Sequence, residues 1–254
     1  MIFALDIGNT NIVIGCFKED NILFVSRIAT DRIKTDDEYA ITFMNIFNMN
    51  NISIKDIEGS IVSSVVPPLV NTIKSAVQKL IGKRPMIVSP GLKTGLNITI
   101  DNPAQLGSDL VVNAVAGINY YSKPLIIIDM GTASTISVID KKNNYLGGII
   151  IPGVDVSQEA LISKTSQLMK ISLEPPKNII GKNTVDCMKS GAIFGNAAMI
   201  DGIIDRIEQE INCIPTVVAT GGLSGCIIPY CKKNIIYDSN LLLKGLRLIY
   251  YKNI

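Results

Sequence analysis

The chain has 254 residues, 47% hydrophobic and 18% charged, with a formal net charge of +2, which suffices for one large domain or two modest ones. It has no His, which excludes Ser-His-Asp and Cys-His catalysis and every His-based metal site and leaves acid–base work to Asp, Glu, Lys or Tyr. No basic stripe with interleaved aromatics points to nucleic acid, no apolar run nears the roughly 18 residues of a membrane span, and no C-x-x-C pair suggests structural zinc or a disulfide framework.

Phe3 to Ile7 reads as a strand ending in the turn Asp6-Ile7-Gly8-Asn9-Thr10-Asn11, with a return strand through Ile12, Val13 and Ile14. A carboxylate at such a strand end can hold a hydrated Mg²⁺ against a polyphosphate. Gly8 lets backbone approach a phosphate, and Asn9, Thr10 and Asn11 offer neutral donors. Taken alone, the stretch is equally an ordinary hairpin with a solvated Asp. Asp6 also stands where a signal peptide would be apolar, so a cytoplasmic location is expected.

A third strand is predicted at 22–28. A helix then starts at Asp36-Asp37-Glu38, with Tyr39, Phe43 and Phe47 spaced by four. Ile61 to Val66 is a buried-type strand stopped by Pro67-Pro68, followed by a helix over 69–81. A short strand over 85–88 and a loop and strand over 91–100 precede a helix from Gly107-Ser108 to Tyr121.

Leu125 to Thr132 then repeats the opening design: an apolar strand, Asp129, Gly131 and Thr132, a return strand over 134–139 and a third strand over 145–151. A helix is predicted over 156–169, a turn over 181–185, and one long helix over 190–211. That helix contains Gly191, Gly195 and Gly202, which suggests close packing or ligand approach because each glycine costs about 1 kcal/mol relative to Ala. A strand over 215–219 ends in Thr220-Gly221-Gly222, and a helix over 241–251 follows.

The repetition predicts an internal duplication, with domains at 1–121 and 122–254 and a cleft between them. Two Asp–Gly–Thr turns across a cleft can clamp a nucleotide, with Gly221 and Gly222 against the adenosine. The expected fold class is α/β, with duplicated actin-like (ribonuclease H-like) ATPase domains, and the arrangement resembles the actin-like, sugar-kinase and heat-shock ATPase superfamily.

More specific segments run in order along the chain: Asp6 to Asn11, Ser63-Ser64-Val65-Val66-Pro67-Pro68, Asn102-Pro103, Gly107-Ser108-Asp109, Asn113 to Gly117, Asp129 to Ala133, Gly147-Gly148 with Pro152-Gly153, Gly181 to Thr184, and Ala219 to Leu223. With these the chain resembles the type III pantothenate kinases over nearly its whole length. The resemblance implies transfer of the ATP γ-phosphoryl group to pantothenate, the first step of coenzyme A biosynthesis.

It further implies that Asp109 is the general base, that Asp6 organises Mg²⁺ and phosphate through water, and that Asp129 binds a monovalent cation, K⁺ or NH₄⁺. Thr132 would contact ATP. Gly107, Ser108, Asp109, Leu110 and Ile100 would line the pantothenate pocket, and Thr184 would reach pantothenate across a homodimer interface at or near the active site. Read without the resemblance, Asp109 is an acidic residue favouring a helix N-terminus, Asp129 a copy of Asp6 without a ligand, and Thr184 a turn hydroxyl.

The chain departs from the family pattern at Leu110, where Arg is usual, at Ile100, often Tyr, and at Gln105, often Glu. An Arg fork suits a carboxylate, and losing one charged hydrogen bond weakens binding by about 1.5–3 kcal/mol. The departures gather on the acceptor side. They leave open a kinase for a different small acceptor, or a non-catalytic nucleotide-binding accessory protein.

Overall fold

The computed structural model describes residues 1–254. The chain divides into two compact units, 1–96 with 101–116 and 241–254, and 97–100 with 117–240. No helix is long and apolar enough to cross a membrane.

The first unit opens with β1 (Ile2–Ile7), β2 (Asn11–Lys18) and β3 (Asn21–Ala29), then α1 (Asp36–Met49), β4 (Gly59–Ser64), α2 (Pro67–Ile81) and β5 (Met86–Ile87). Its sheet runs β3-β2-β1-β4-β5. The β1–β2 and β2–β3 pairs are antiparallel, and the β1–β4 and β4–β5 pairs are parallel. Helix α1 begins on a capping box: the Thr35 hydroxyl accepts from the Glu38 amide while the Glu38 carboxylate accepts from the Thr35 amide at 2.7 Å. Its buried Phe43 and Phe47 pack on Phe3, with ring centroids 5.6 and 4.8 Å away.

The second unit holds β6 (Asn97–Ile98), β7 (Leu125–Met130), β8 (Ala133–Ile139), β9 (Asn144–Pro152), α4 (Val154–Ser163), α5 (Thr184–Ser190), α6 (Asn196–Ile211), β10 (Thr216–Thr220), α7 (Ser224–Ile227) and β11 (Ile235–Tyr237). Its sheet runs β11-β10-β7-β8-β9-β6. The β7–β8 and β8–β9 pairs are antiparallel, and the β7–β10 and β10–β11 pairs are parallel. This is the order and sense of the first sheet with β6 added at one edge, so the duplication extends from the turns to the whole sheet.

Two helices depart from a simple halving at Tyr121. Helix α3 (Ser108–Tyr120) passes from the first unit to the second between Ala116 and Gly117. Helix α8 (Leu241–Lys252), which follows the second copy in sequence, belongs to the first unit. Its Leu243, Leu246 and Ile249 share one core cluster with Ile2, Ala4, Ile61, Val112 and Val115. Arg247, buried on α8, donates to the Glu19 carbonyl at 3.1 Å and pairs with Asp20.

The long helix expected over 190–211 is also divided. Helix α5 ends at Ser190, a π-helical turn covers Gly191–Gly195, and α6 starts at Asn196. A side chain added at Gly191 or Gly195 would meet nothing within 4 Å, so packing within this chain is not what these glycines serve. The helix expected over 156–169 is shorter and earlier, because Gly153 starts α4 at Val154 and the chain leaves helical form at Lys164.

Candidate active site

In the first unit β1 carries Asp6 to the mouth of the sheet, where the carboxylate is buried. The turn after it is tied from several sides. The Gly8 amide donates to the Asn11 carbonyl at 3.0 Å, and the Thr30 amide donates to the Thr10 carbonyl at 2.9 Å. The Thr30 hydroxyl donates to the Gly8 carbonyl at 2.6 Å. The Asn9 side chain accepts from the Arg32 guanidinium at 3.2 Å. The turn is therefore held in one shape by its own backbone together with Thr30 and Arg32, with exposed Asn9 and Thr10 at its tip.

Asp109 lies in the first turn of α3, and the unit connects it to Asp6 by a short route. Asp6 stands beside Ser63 in the β1–β4 register. The buried Ser63 hydroxyl is 3.0 Å from the Ser108 hydroxyl. Ser108 Oγ donates to the Ser64 carbonyl at 3.0 Å, which leaves Ser63 as the donor to it, and it accepts from the Ser64 amide at 3.2 Å. One hydroxyl thus pins the start of α3 to the end of β4.

Next in sequence, Asp109 Oδ1 accepts from the Leu110 amide at 2.9 Å. Burial pushes the Asp109 carboxyl above the ordinary aspartate range, and the Leu110 amide pulls it partly back. A half-buried carboxylate with a raised pKa is a competent proton acceptor for a hydroxyl.

In the second unit Asp129 is the next-to-last residue of β7 and stands beside Thr220 of β10. The backbone then turns at Gly221, with φ +94°, where an added Cβ would lie 2.6 Å from Asp129 Oδ1 and from Met130 N and O. Only a glycine fits that left-handed position so close to the carboxylate. The Gly131 amide donates to the Ala133 carbonyl at 3.2 Å, and the Gly153 amide donates to the Thr132 carbonyl at 3.1 Å. The N-terminus of α4 therefore seats directly on the Gly131–Thr132 turn. Asp129, Thr132, Gly153 and Gly221 form one cluster, and Gly222 follows, exposed.

Two expected residues are placed by their elements alone. Ile100 follows β6, whose extension donates from the Thr99 amide to the Tyr145 carbonyl at 3.1 Å. Thr184 is exposed at the first position of α5, where the Asn183 side chain accepts from the Asp186 amide at 2.9 Å. Asn183, not Thr184, is the cap.

Sequence reasoning missed the roles of Thr30, Arg32, Ser63 and Gly153. Thr30 and Arg32 looked like a plain polar loop, and no local pattern announces a contact across more than twenty residues. Ser63 was readable in principle, since a parallel β1–β4 pairing sets it beside Asp6.

A family model for type III pantothenate kinases matches residues 2–206. A type III pantothenate kinase of an Exiguobacterium strain is 47% identical over 253 residues, covering 100% of this chain and 99% of that protein. One from Halalkalibacterium halodurans is 43% identical over 254 residues, covering both chains fully.

Among solved structures, a Campylobacter jejuni protein assigned to the Baf family of transcriptional activators superposes with TM-score 0.62 at 19% identity, covering 98% of each chain. The activator of 2-hydroxyisocaproyl-CoA dehydratase from Clostridium difficile, with bound ADPNP, gives 0.53 at 14%, covering 99% of this chain and 94% of that one. These two show the fold, an actin-like ATPase fold, while the full-length relatives and the family model carry the assignment. The chain belongs to the type III pantothenate kinase family.

Proposed function

We propose that this chain transfers the γ-phosphoryl group of ATP to the primary hydroxyl of pantothenate, giving 4'-phosphopantothenate and ADP at the first step of coenzyme A biosynthesis. The observation that carries this is full-length similarity to type III pantothenate kinases combined with a half-buried Asp109, its carboxyl raised by burial, next to Ser108, which is pinned beside the strand of Asp6. The pantothenate hydroxyl oxygen bonds to the γ-phosphorus, the bond to the ADP oxygen breaks, and the hydroxyl proton passes to the Asp109 carboxylate. Phosphoryl transfer asks mainly for positioning and charge neutralisation, so a carboxylate of modest basicity suffices.

Kinase chemistry of this kind uses ATP with a divalent metal. No three His, Cys, Asp or Glu side chains form a metal cage, which fits Mg²⁺ held by one carboxylate, water and the substrate phosphates. Asp6 is the carboxylate we assign to it, and when bound the ion neutralises phosphate charge. The turn from Gly8 to Asn11 presents neutral donors to the phosphates. Asp129 supplies a hard oxygen for a monovalent cation, K⁺ or NH₄⁺, and Thr132, Gly221 and Gly222 face the nucleotide. Gly107, Ser108, Leu110 and Ile100 we assign to the pantothenate side.

A homodimer, with Thr184 reaching the partner's pantothenate, is supported by what surrounds that residue. Ile179, Ile180 and Val185 are 65%, 78% and 37% exposed around it, and Gly191 and Gly195 leave open space on the following helical segment. A second copy would cover such a face. A cytoplasmic location accords with this biosynthetic role.

The test is ADP release with Mg²⁺ and K⁺, with and without pantothenate, repeated for Asp109→Asn. Pantothenate-dependent release abolished by the substitution supports the assignment. Nucleotide binding without turnover overturns it. Leu110, Ile100 and Gln105 favour one second reading, a kinase for another small acceptor, which the same assay exposes when other hydroxyl compounds replace pantothenate.

A further inference from the structure

Gly107 precedes the proposed base by two residues, and its surroundings are unusual for a glycine. Its φ is not in the left-handed region, so the backbone accepts an L-residue there. A Cβ built on it would meet one atom closely, Asp109 Oδ1 at 2.5 Å; the next are Asp109 Cγ at 3.6 Å and Leu110 Cγ at 3.9 Å. No backbone or core side chain from another element is among these nearest neighbours. What the missing side chain leaves room for is the carboxylate itself. The same oxygen accepts the Leu110 amide at 2.9 Å, so the space over Gly107 and the amide of Leu110 together define where the carboxylate rests.

We propose that Gly107 is a positioning residue for the phosphoryl transfer: having no side chain, it keeps the Asp109 carboxylate seated on the Leu110 amide. Gly107 acts through Asp109 and takes no part in proton transfer itself. The frame around it is rigid, because the Ser108 hydroxyl is held by Ser63 and Ser64. Only the side chain of Asp109 can yield to a methyl at 107. The inference rests on the reading of Asp109 as the general base, but the position of the carboxylate can be read without turnover.

The test is Gly107→Ala, examined in three ways. The thermal unfolding temperature at neutral pH is expected to fall by about 3–5 °C, the linkage cost of the raised Asp109 carboxyl and no more, since the clash falls on a mobile side-chain end. The titration of the Asp109 carboxyl in ¹³C-labelled free protein, assigned by its disappearance in Asp109→Asn, is expected to rise by about one pH unit, because the bond to the Leu110 amide that favours the charged form is lost.

In the pantothenate-dependent assay kcat is expected to fall about 10- to 100-fold with the KM for ATP unchanged, the scale for a catalytic group misplaced by about 1 Å. An unmoved Asp109 titration overturns the proposal. So does a variant that fails to fold, which would make Gly107 a requirement of the chain and not of the carboxylate. A wild-type protein without pantothenate-dependent turnover would overturn the kinase reading, yet the titration would still decide the role of Gly107.

Discussion

Ser63 and Ser108, 45 residues apart in sequence, share a hydrogen bond of 3.0 Å at the join between the central sheet of the first unit and the helix bearing Asp109. Ser63 is fully buried, so Ser108 is its means of satisfaction. Ser108→Ala deprives both Ser63 and the Ser64 backbone of a partner. The expected cost is about 1–3 kcal/mol of unfolding free energy, measured by urea denaturation. An unchanged midpoint would mean that the hydroxyls do not anchor the helix.

Asp109 sits at a cost to the fold. Its carboxyl is shifted upward by burial. A group raised above its unfolded value stabilises the fold at pH below the unfolded pKa, and that contribution is lost as pH rises through the folded pKa. At neutral pH the ionised carboxylate is therefore a burden. Asp109→Asn should unfold at a higher temperature than the wild type at pH 7, with the gap narrowing as pH falls through the raised folded value and closed by about pH 4, the ordinary aspartate value. Scanning calorimetry across that range checks it, and a less stable variant at pH 7 would contradict it.

The same shift sets the pH dependence of catalysis. The base works only when deprotonated, so kcat/KM for pantothenate, which reports the free enzyme, should fall on the acid side with a midpoint above the ordinary aspartate value of about 3.9. A profile of kcat/KM for pantothenate against pH reads it. A midpoint at or below that value would assign the limb to another group.

Ser60 provides a test free of the active site. Its hydroxyl is buried in β4, on the strand face shared with Val62 of the main apolar cluster, and has no hydrogen-bond partner. Ser60→Ala removes an uncompensated polar group with little change of volume and should stabilise the protein by about 1 kcal/mol. A lower melting temperature would show that the hydroxyl is satisfied after all.

Leu110→Arg addresses the acceptor. A guanidinium beside Asp109 can meet the pantothenate carboxylate with two hydrogen bonds. The KM for pantothenate should fall about ten- to a hundredfold, with the KM for ATP unchanged. An unchanged KM for pantothenate would mean that another residue already holds the carboxylate.

How far the fold could be read from sequence depended on how local the signal was. The two Asp–Gly–Thr turns announced themselves by strand pattern and spacing, and the paired sheets followed from them. The helix expected from Gly107-Ser108 to Tyr121, observed as Ser108–Tyr120, was equally local, whereas the capping box at Thr35 was not noticed in the sequence. What else escaped was set by distant packing.

Helix α8 shows apolar positions at helical spacing, but nothing in 241–252 says that they pack on β1 and β4. The π-helical turn at Gly191–Gly195 looks in sequence like continuous helix. Among the candidate residues, Asp6 and Asp109 of the first unit and Asp129 and Gly221 of the second are proposed from motif and resemblance. Ser63 and Thr30 act only through register and a hydroxyl reaching across the chain, which no linear spacing encodes.

The membership of α8 in the first unit has a consequence for how the protein is made. A ribosome releases β1, β4 and the start of α3 long before Leu243, Leu246 and Ile249, yet these residues complete one cluster with Ile2, Ala4 and Ile61. The first unit therefore cannot close as it emerges, and must wait with an open apolar face while the whole second unit is synthesised. Folding in order of synthesis, the usual route for tandem domains, is reversed here: the unit begun first is finished last. A fragment cut at the apparent midpoint near residue 121 is accordingly expected to aggregate.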